Sequence, residues 1–287
     1  MSIEDIPSLI VKVCEVGGTF PQKVDRLYTE LSPWNASGIG SRLRSTGVIP
    51  EMFGHDSSEE KLYAKYCDIL VAESFKAIGF RSVVNATRSD VADLYIDGFG
   101  YSAVCDVKAF RLSRTALNPK DYKIEAVDKW RRNQEAEYAF LVAPHPQFPK
   151  DISRLYDEAV RYNVTLLSFA HIEFLLSMAA STRRPPDLRP LWRLVQEIED
   201  PSEIRGLSYW RTVDRVIVRV SGGHEENLTQ SKEKYEEEFR KQAQLQITFW
   251  EARLAEIRSM PRDQLIKSLI VAEGIEGKIK VIKRYLR

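Results

Sequence analysis

Several things are scarce in this 287-residue chain, and each scarcity removes a class of function. There are three cysteines, Cys14, Cys67 and Cys105, with no Cys-x-x-Cys pair. An odd, unpaired set argues for free thiols rather than a disulfide framework or a thiolate zinc site. The four histidines, His55, His145, His171 and His224, are scattered without zinc spacing. No apolar run approaches the roughly 20 residues of a membrane helix. No glycine-rich loop ends in Gly-Lys-Ser/Thr, and no Gly-x-Ser-x-Gly elbow is present. The start, Met-Ser-Ile-Glu-Asp-Ile, is acidic and lacks a signal pattern, so a cytoplasmic location is expected. Net charge is only +1, which excludes a broadly basic coat for nucleic acid but not a focal basic site.

What is present is a soluble composition with enough apolar residues for a large core: 44% hydrophobic and 29% charged. The element pattern is mixed. Residues 1–56 read as short helices broken at Gly17-Gly18, Ser32-Pro33 and Gly38-Ile-Gly40. Ser57-Ser-Glu-Glu60 reads as a capping box opening a helix that runs to Ile78, with Gly79 as its stop. Strand-like segments follow at Ser82–Val84, Val91–Ile96 and Tyr101–Val107, with Asp97-Gly98 as the expected hairpin turn. Then come a helix (Pro119–Ala136), a strand (Tyr138–Val142), a helix (Asp151–Tyr162), a strand (Val164–Phe169) and a helix (Ile172–Ala180). Pro185-Pro186 and Pro190 mark a boundary. Val213–Val220 reads as another short β-like run, and the chain beyond Asn227 as helical. The expected fold is therefore α/β: a mixed central sheet flanked by helices, with helical additions at both ends. The expected divisions are an N-terminal helical region (1–56), a core (57–182) and a mainly helical C-terminal region (183–287).

The candidate chemistry lies at Asp106-Val107-Lys108, where an apolar strand ends and a basic segment begins. On a strand, Asp106 and Lys108 share a face. A carboxylate can hold a divalent metal, and a lysine two residues on can position a water or steady a phosphate. Asp-x-Lys alone is a weak signal. Similar triplets occur at Asp121-Tyr-Lys123, Glu59-Glu-Lys61 and Glu276-Gly-Lys278, and each is ordinarily a solvated surface pair. Context separates Asp106 from them. With the loop at Asp97–Gly100, or at its inner two residues, Ile96 faces Tyr101 and Asp93 faces Val104, which puts Asp93 on the face of Asp106 and Lys108. Asp90 would point away, and an odd loop would reverse the choice. Glu60 has two readings, as part of the helix cap or as a further acid of a metal shell. Behind Lys108, five basic residues (Lys108, Arg111, Arg114, Lys120, Lys123) stand against one acid, Asp121. Arg, Ser, Thr and Asn in this stretch suit phosphate and base-edge contacts.

The stretch Asp106-Val-Lys-Ala-Phe-Arg-Leu-Ser-Arg-Thr-Ala-Leu-Asn-Pro-Lys-Asp-Tyr-Lys123, followed by Trp130, resembles the HindIII family of type II restriction endonucleases, a branch of the PD-(D/E)xK nucleases. Arg44-Ser-Thr-Gly-Val-Ile-Pro-Glu51, Ser58-Glu-Glu-Lys-Leu-Tyr-Ala-Lys65, Tyr138-Ala-Phe-Leu-Val-Ala-Pro144 and Asn163-Val-Thr-Leu-Leu-Ser-Phe169 share the likeness. It is strong over about 40–180 and thin over 183–245. The resemblance implies a restriction-endonuclease-like core, a homodimer, Mg²⁺ and duplex DNA cut at a short palindrome, with AAGCTT or a related site suggested. It implies catalytic Asp93, Asp106, Lys108 and Glu60, and metal ligation by Asp93, Asp106 and the Val107 carbonyl. Arg111, Ser113, Arg114, Thr115, Asn118, Lys120 and Lys123 become candidates for DNA contact. A cognate methyltransferase would act on the same site. Ala92 stands where the superfamily name has proline. Two other readings remain open: a structure-specific repair or recombination nuclease, and a non-catalytic DNA-binding protein.

Overall fold

The computed structural model describes residues 5–85, 90–114, 119–198 and 205–272. A five-stranded sheet in the order β1-β2-β3-β4-β5 organises them. Its strands are β1 (Arg81–Val84), β2 (Leu94–Gly98), β3 (Tyr101–Val107), β4 (Tyr138–Ala143) and β5 (Val164–Ser168). β1, β2 and β3 form an antiparallel meander, whereas β3, β4 and β5 run parallel. The connections decide this. A two-residue turn returns β2 into β3, while helical crossovers of a few tens of residues carry β3 to β4 and β4 to β5. The sheet is therefore mixed, as the alternation of elements implies.

Helices α1 (Asp5–Glu15), α2 (Phe20–Glu30) and α3 (Ala36–Arg44) precede the long α4 (Ser58–Ile78). α4 starts where Ser57 Oγ accepts the Glu60 N–H, and it stops at Gly79, whose φ of 116° only glycine adopts freely. It lies against β1, β2 and β3, and α1, α2 and α3 pack on it. The expected helix over Pro119–Ala136 is broken in two, α5 (Pro119–Tyr122) and α6 (Ile124–Asn133), by Lys123 in the left-handed region (φ 50°). α7 (Arg154–Arg161), α8 (Phe169–Thr182) and α9 (Arg189–Trp192) complete the surround of the sheet. Phe140 of β4 touches Phe75 of α4 and Trp192 of α9, with ring centroids 5.3 Å and 4.7 Å apart, so α4 and α9 share one face.

One expectation is overturned. Val213–Val220 is not a strand; it lies within the helix α10 (Gly206–Ser221). Its β-branched composition suggests a strand, but the residues it buries, Tyr209, Trp210, Val213, Val216 and Ile217, recur at helical spacing. Burial of that stripe outweighs the small propensity cost of valine in a helix. α11 (Glu225–Ser259) and α12 (Arg262–Ala272) follow. The third C-terminal helix expected around Gly274 and Gly277 lies outside the described residues.

The chain divides into two compact units, Met1–Ala243 and Gln244–Arg287. The first contains the sheet and one continuous apolar core running from Ile6 to Tyr235. In the second, Ile247, Trp250, Leu254 and Ile257 are exposed at alternating three- and four-residue spacing. That spacing lines them up as one apolar stripe along the helix.

Candidate active site on the β2–β3 hairpin

The turn between β2 and β3 is Phe99-Gly100, two residues later than Asp97-Gly98. Both turn residues have positive φ (54° and 79°), the type I′ form that matches strand twist. Phe99 is held there by edge-to-face contact with Phe80, 4.8 Å between centroids. The register is Gly98↔Tyr101 through Leu94↔Cys105, so Asp93 comes opposite Asp106 rather than Val104. A shift of two residues preserves side-chain parity, and Asp93 stays on the face of Asp106. Asp93 Oδ2 accepts the Val107 N–H at 2.9 Å. Asp90 is elsewhere: its carboxylate accepts from Trp130 Nε1 (3.2 Å) and Lys129 Nζ (3.1 Å) on α6.

Asp106 is buried, with only 2% of its surface exposed. Lys108 Nζ stands 2.6 Å from Asp106 Oδ2, but off the angle of a hydrogen bond, so this buried oxygen accepts none. Burial, opposed by the Lys108 charge and reinforced by that of Asp93, pushes the Asp106 carboxyl up to about 7. Burial works against the Lys108 ammonium too, but Asp106, with Asp93 and Asp68, holds its pKa above the usual lysine value.

Asp68 of α4 lies within electrostatic reach of Asp93 and Asp106, and the sequence reading missed it. It is buried on α4 and bridged to Lys65 Nζ at 2.6 Å. Burial, then the charges of Asp93 and Asp106, raise its pKa well above the carboxylate range. Lys65 also donates to the Asn85 carbonyl at 2.8 Å, beside β1. The signal available in the sequence was a charged pair, Lys65 and Asp68, on the otherwise apolar second turn-pair of a long helix.

Glu60 is not brought to the hairpin acids. It sits eight residues before Asp68, roughly 12 Å along the helix axis. Its Oε1 accepts from Arg111 Nε at 3.0 Å and its Oε2 from the Asp56 N–H at 2.6 Å. Burial raises its pKa, but these two donors outweigh burial and lower it. Among the described residues, the acid and histidine trio whose ligand atoms lie within 4.8 Å of one another is His55, Asp56 and Glu60, at this exposed end of α4.

The basic segment is partly turned inward. Arg111 donates to the carbonyls of Pro50 (3.3 Å), Phe53 (2.8 Å) and Gly54 (3.3 Å) as well as to Glu60. Ser113 gives its N–H and hydroxyl to the buried Glu51 carboxylate at 3.1 and 2.9 Å. Arg114 pairs with Asp121 at 2.7 Å, while Lys120 and Lys123 are exposed. Thr115 and Asn118 lie outside the described residues. The cradle is seated by Gly47, whose carbonyl accepts the Phe110 N–H. Gly47 has φ 99°, and a Cβ there would come within 2.6 Å of Pro144 and 2.7 Å of Phe169, so only glycine fits.

Paired acids and a lysine on one hairpin, set in a mixed sheet, are the arrangement of a nuclease. The model of the HindIII restriction endonuclease family matches residues 4–285, and the chain belongs to that family. It is a type II restriction endonuclease, a site-specific nuclease. It is 25% identical over 290 residues to the type II restriction enzyme HindIII of Haemophilus influenzae, covering 100% of this chain and 95% of that protein. Among solved structures, the small subunit of the heterodimeric restriction endonuclease R.BspD6I aligns with 55% of this chain and 91% of its own, at 11% identity and a TM-score of 0.36. Restriction endonuclease FokI aligns with 62% of this chain and 45% of its own, at 12% identity and a TM-score of 0.33. Restriction endonucleases of this family act on DNA and are typically metal-dependent. No helix among the described residues is long and apolar enough to cross a membrane.

Proposed function

We propose that this endonuclease hydrolyses duplex DNA with Mg²⁺ at a short palindrome, AAGCTT or a close relative, leaving 5′-phosphate and 3′-hydroxyl ends. The observation that carries this reading is Asp93 opposite Asp106 with Lys108 two residues further on. The donor set fits a divalent cation. Asp106 Oδ2 is buried, ion-paired with Lys108 but without a well-aligned hydrogen bond, and the charges of Asp93 and Asp68 crowd it. Asp93, Asp106 and the Val107 carbonyl would hold the ion, with Asp68 of α4 adding negative charge to the site. Bound there, Mg²⁺ supplies charge neutralisation for the phosphate and for the leaving oxygen. Lys108 orients the attacking water and faces the phosphate charge, held in place by Asp106. Arg111 and Ser113 fix the recognition segment from behind, and Arg114, Thr115, Asn118, Lys120 and Lys123 are the candidates for DNA contact.

In this reading residues 57–182 form the nuclease core, 1–56 a helical N-terminal region, and 183–287 the region that pairs subunits or embraces DNA. Ile247, Trp250, Leu254 and Ile257 offer an apolar seam for a second copy. A homodimer gives each strand of a palindrome one active site. A cytoplasmic enzyme partnered in the cell by a methyltransferase of the same site fits this role. The test is digestion of unmethylated DNA of known sequence with Mg²⁺, followed by sequencing of the ends. Discrete fragments sharing one palindrome are expected. Cleavage only at branched structures, or none, overturns the reading.

A pH dependence follows from Asp106. Its folded pKa lies above the unfolded carboxylate value, so without metal its contribution to stability is fully present below pH ~4 and is lost as pH rises towards about 7. A cation needs the ionised form. The rise in thermal midpoint on adding Mg²⁺ is therefore expected to be larger at pH 8 than at pH 6. An equal rise at both values would remove Asp106 as a ligand.

A further inference from the structure

We propose that a cavity between the turn after β4, α10 and the first turns of α11 binds a nucleotide, its base against an apolar wall and its phosphate on Arg211 and Lys150. The cavity is ≈ 560 Å³, and every residue lining it belongs to the Met1–Ala243 unit. That volume lies within the range of small-molecule sites. Phe148, Trp210, Phe239 and Leu207 form its apolar wall. Phe148 and Trp210 are locked edge-to-face, 4.9 Å between centroids, so the wall is preformed. An apolar wall shaped by rings suits a planar base, because every base has a π-face.

The charges of the lining select an anion. Lys232 is held by Asp214 at 2.5 Å, and Arg240 by Glu236 at 3.1 Å. Asp214 is also bonded to the buried His171, 2.9 Å from Nε2, and these contacts overcome its burial to lower its pKa to about 2. Both carboxylates of the cavity are thus already spent. Lys150 and Arg211 make no ion pair among the described residues, and both are exposed at the mouth. An arginine fork and a lysine lining one cavity supply the charge that a phosphate takes. His145, whose ring packs edge-to-face on Trp210, adds the hydrogen-bonding edge that a base requires. Burial lowers its pKa to about 4, so it stays a neutral ring with one donor and one acceptor.

Place in the fold connects the cavity with DNA. Lys108 N–H donates to the Val142 carbonyl, and His145 follows three residues later, at the same end of the parallel strands. Phe148 also stacks on Tyr122 at 5.3 Å, and the Tyr122 hydroxyl donates to the Gln147 carbonyl at 2.6 Å. Tyr122 closes α5, the helix that ends the basic segment. A nucleotide in the cavity therefore bears on the piece of chain that faces DNA. The same chemistry has two sources: a free nucleoside 5′-monophosphate, or a nucleotide turned out of a DNA strand. The second rests on the proposed DNA substrate; the first does not.

The experiment uses the full chain without divalent metal. Calorimetry with each of the four deoxynucleoside monophosphates tests the free source. Affinity for a duplex with one bulged nucleotide, against the perfect duplex, tests the strand source. Binding in either arm, weakened at least about tenfold by Arg211→Glu or Lys150→Glu, is expected from loss of a charge-assisted phosphate contact. If no monophosphate binds and the two duplexes bind alike, the inference fails. It also fails if binding is unchanged in both charge reversals. Site-specific cleavage of intact plasmid, measured separately, stands or falls with the proposed function and not with this cavity.

Discussion

Asp106→Ala is expected to abolish cleavage while DNA binding persists. The loss is expected to reach at least about a thousandfold, the scale of removing a group that stabilises developing charge in a water-excluded site. Asp106 is the most enclosed of the hairpin acids, and Lys108 is oriented by it at 2.6 Å. One substitution therefore removes a proposed metal ligand and frees the lysine. Single-turnover cleavage at saturating enzyme measures the first effect, and band shift on uncut cognate duplex measures the second. Cleavage within tenfold of the parent enzyme would mean that the chemistry lies elsewhere. Loss of binding in parallel with cleavage, with the fold intact, would make Asp106 a structural group. Lys108→Ala should resemble it in rate, because the ammonium is the only cation placed against this carboxylate by an ion pair among the described residues.

Arg111→Ala is expected to cost about 3 kcal/mol of stability, the scale of breaking an enclosed ion pair by deleting one partner. Arg111 and Glu60 are 16% and 15% exposed at the side chain, and Glu51 only 2%. Deletion strands Glu60 without its guanidinium and leaves three carbonyls, those of Pro50, Phe53 and Gly54, without their donor. A fall in thermal midpoint of roughly 10 °C follows for a unit of this size. Arg111→Lys should recover little, since one ammonium cannot reproduce the fork. The alternative is a direct phosphate contact. It predicts an unchanged midpoint, weaker DNA binding and a shallower dependence of affinity on salt, by about one counterion. Differential scanning fluorimetry and a salt titration separate the two outcomes.

The pairing of Asp93 with Asp106 was legible in the sequence because strands alternate with a period of two. The turn lies at Phe99-Gly100, and pairing slips by two residues from the expected Asp93–Val104 register, an even slip that keeps every side chain on its expected face. The limits of α4, set by Ser57 and Gly79, are local chemistry and were legible for the same reason. Asp68 was not, because its role depends on α4 lying against the hairpin strands, and only burial there gives its charge a reach to Asp93 and Asp106. Val213–Val220 was misread because composition is local while the choice of buried face is not.

The sequence by itself determined the family, the hairpin that bears Asp93, Asp106 and Lys108, and the mixed order of strands, since these rest on motif, alternation and connection length. The tertiary structure alone decided which charges meet. Arg111 and Ser113, which read as DNA contacts, are turned onto Glu60 and Glu51, and Asp68, which the sequence reading passed over, is under the charges of the hairpin acids. The physical reason is that an enclosed charge must find its partners across the fold: Arg111 meets Glu60 from 51 residues away, and Ser113 meets Glu51 from 62 residues away.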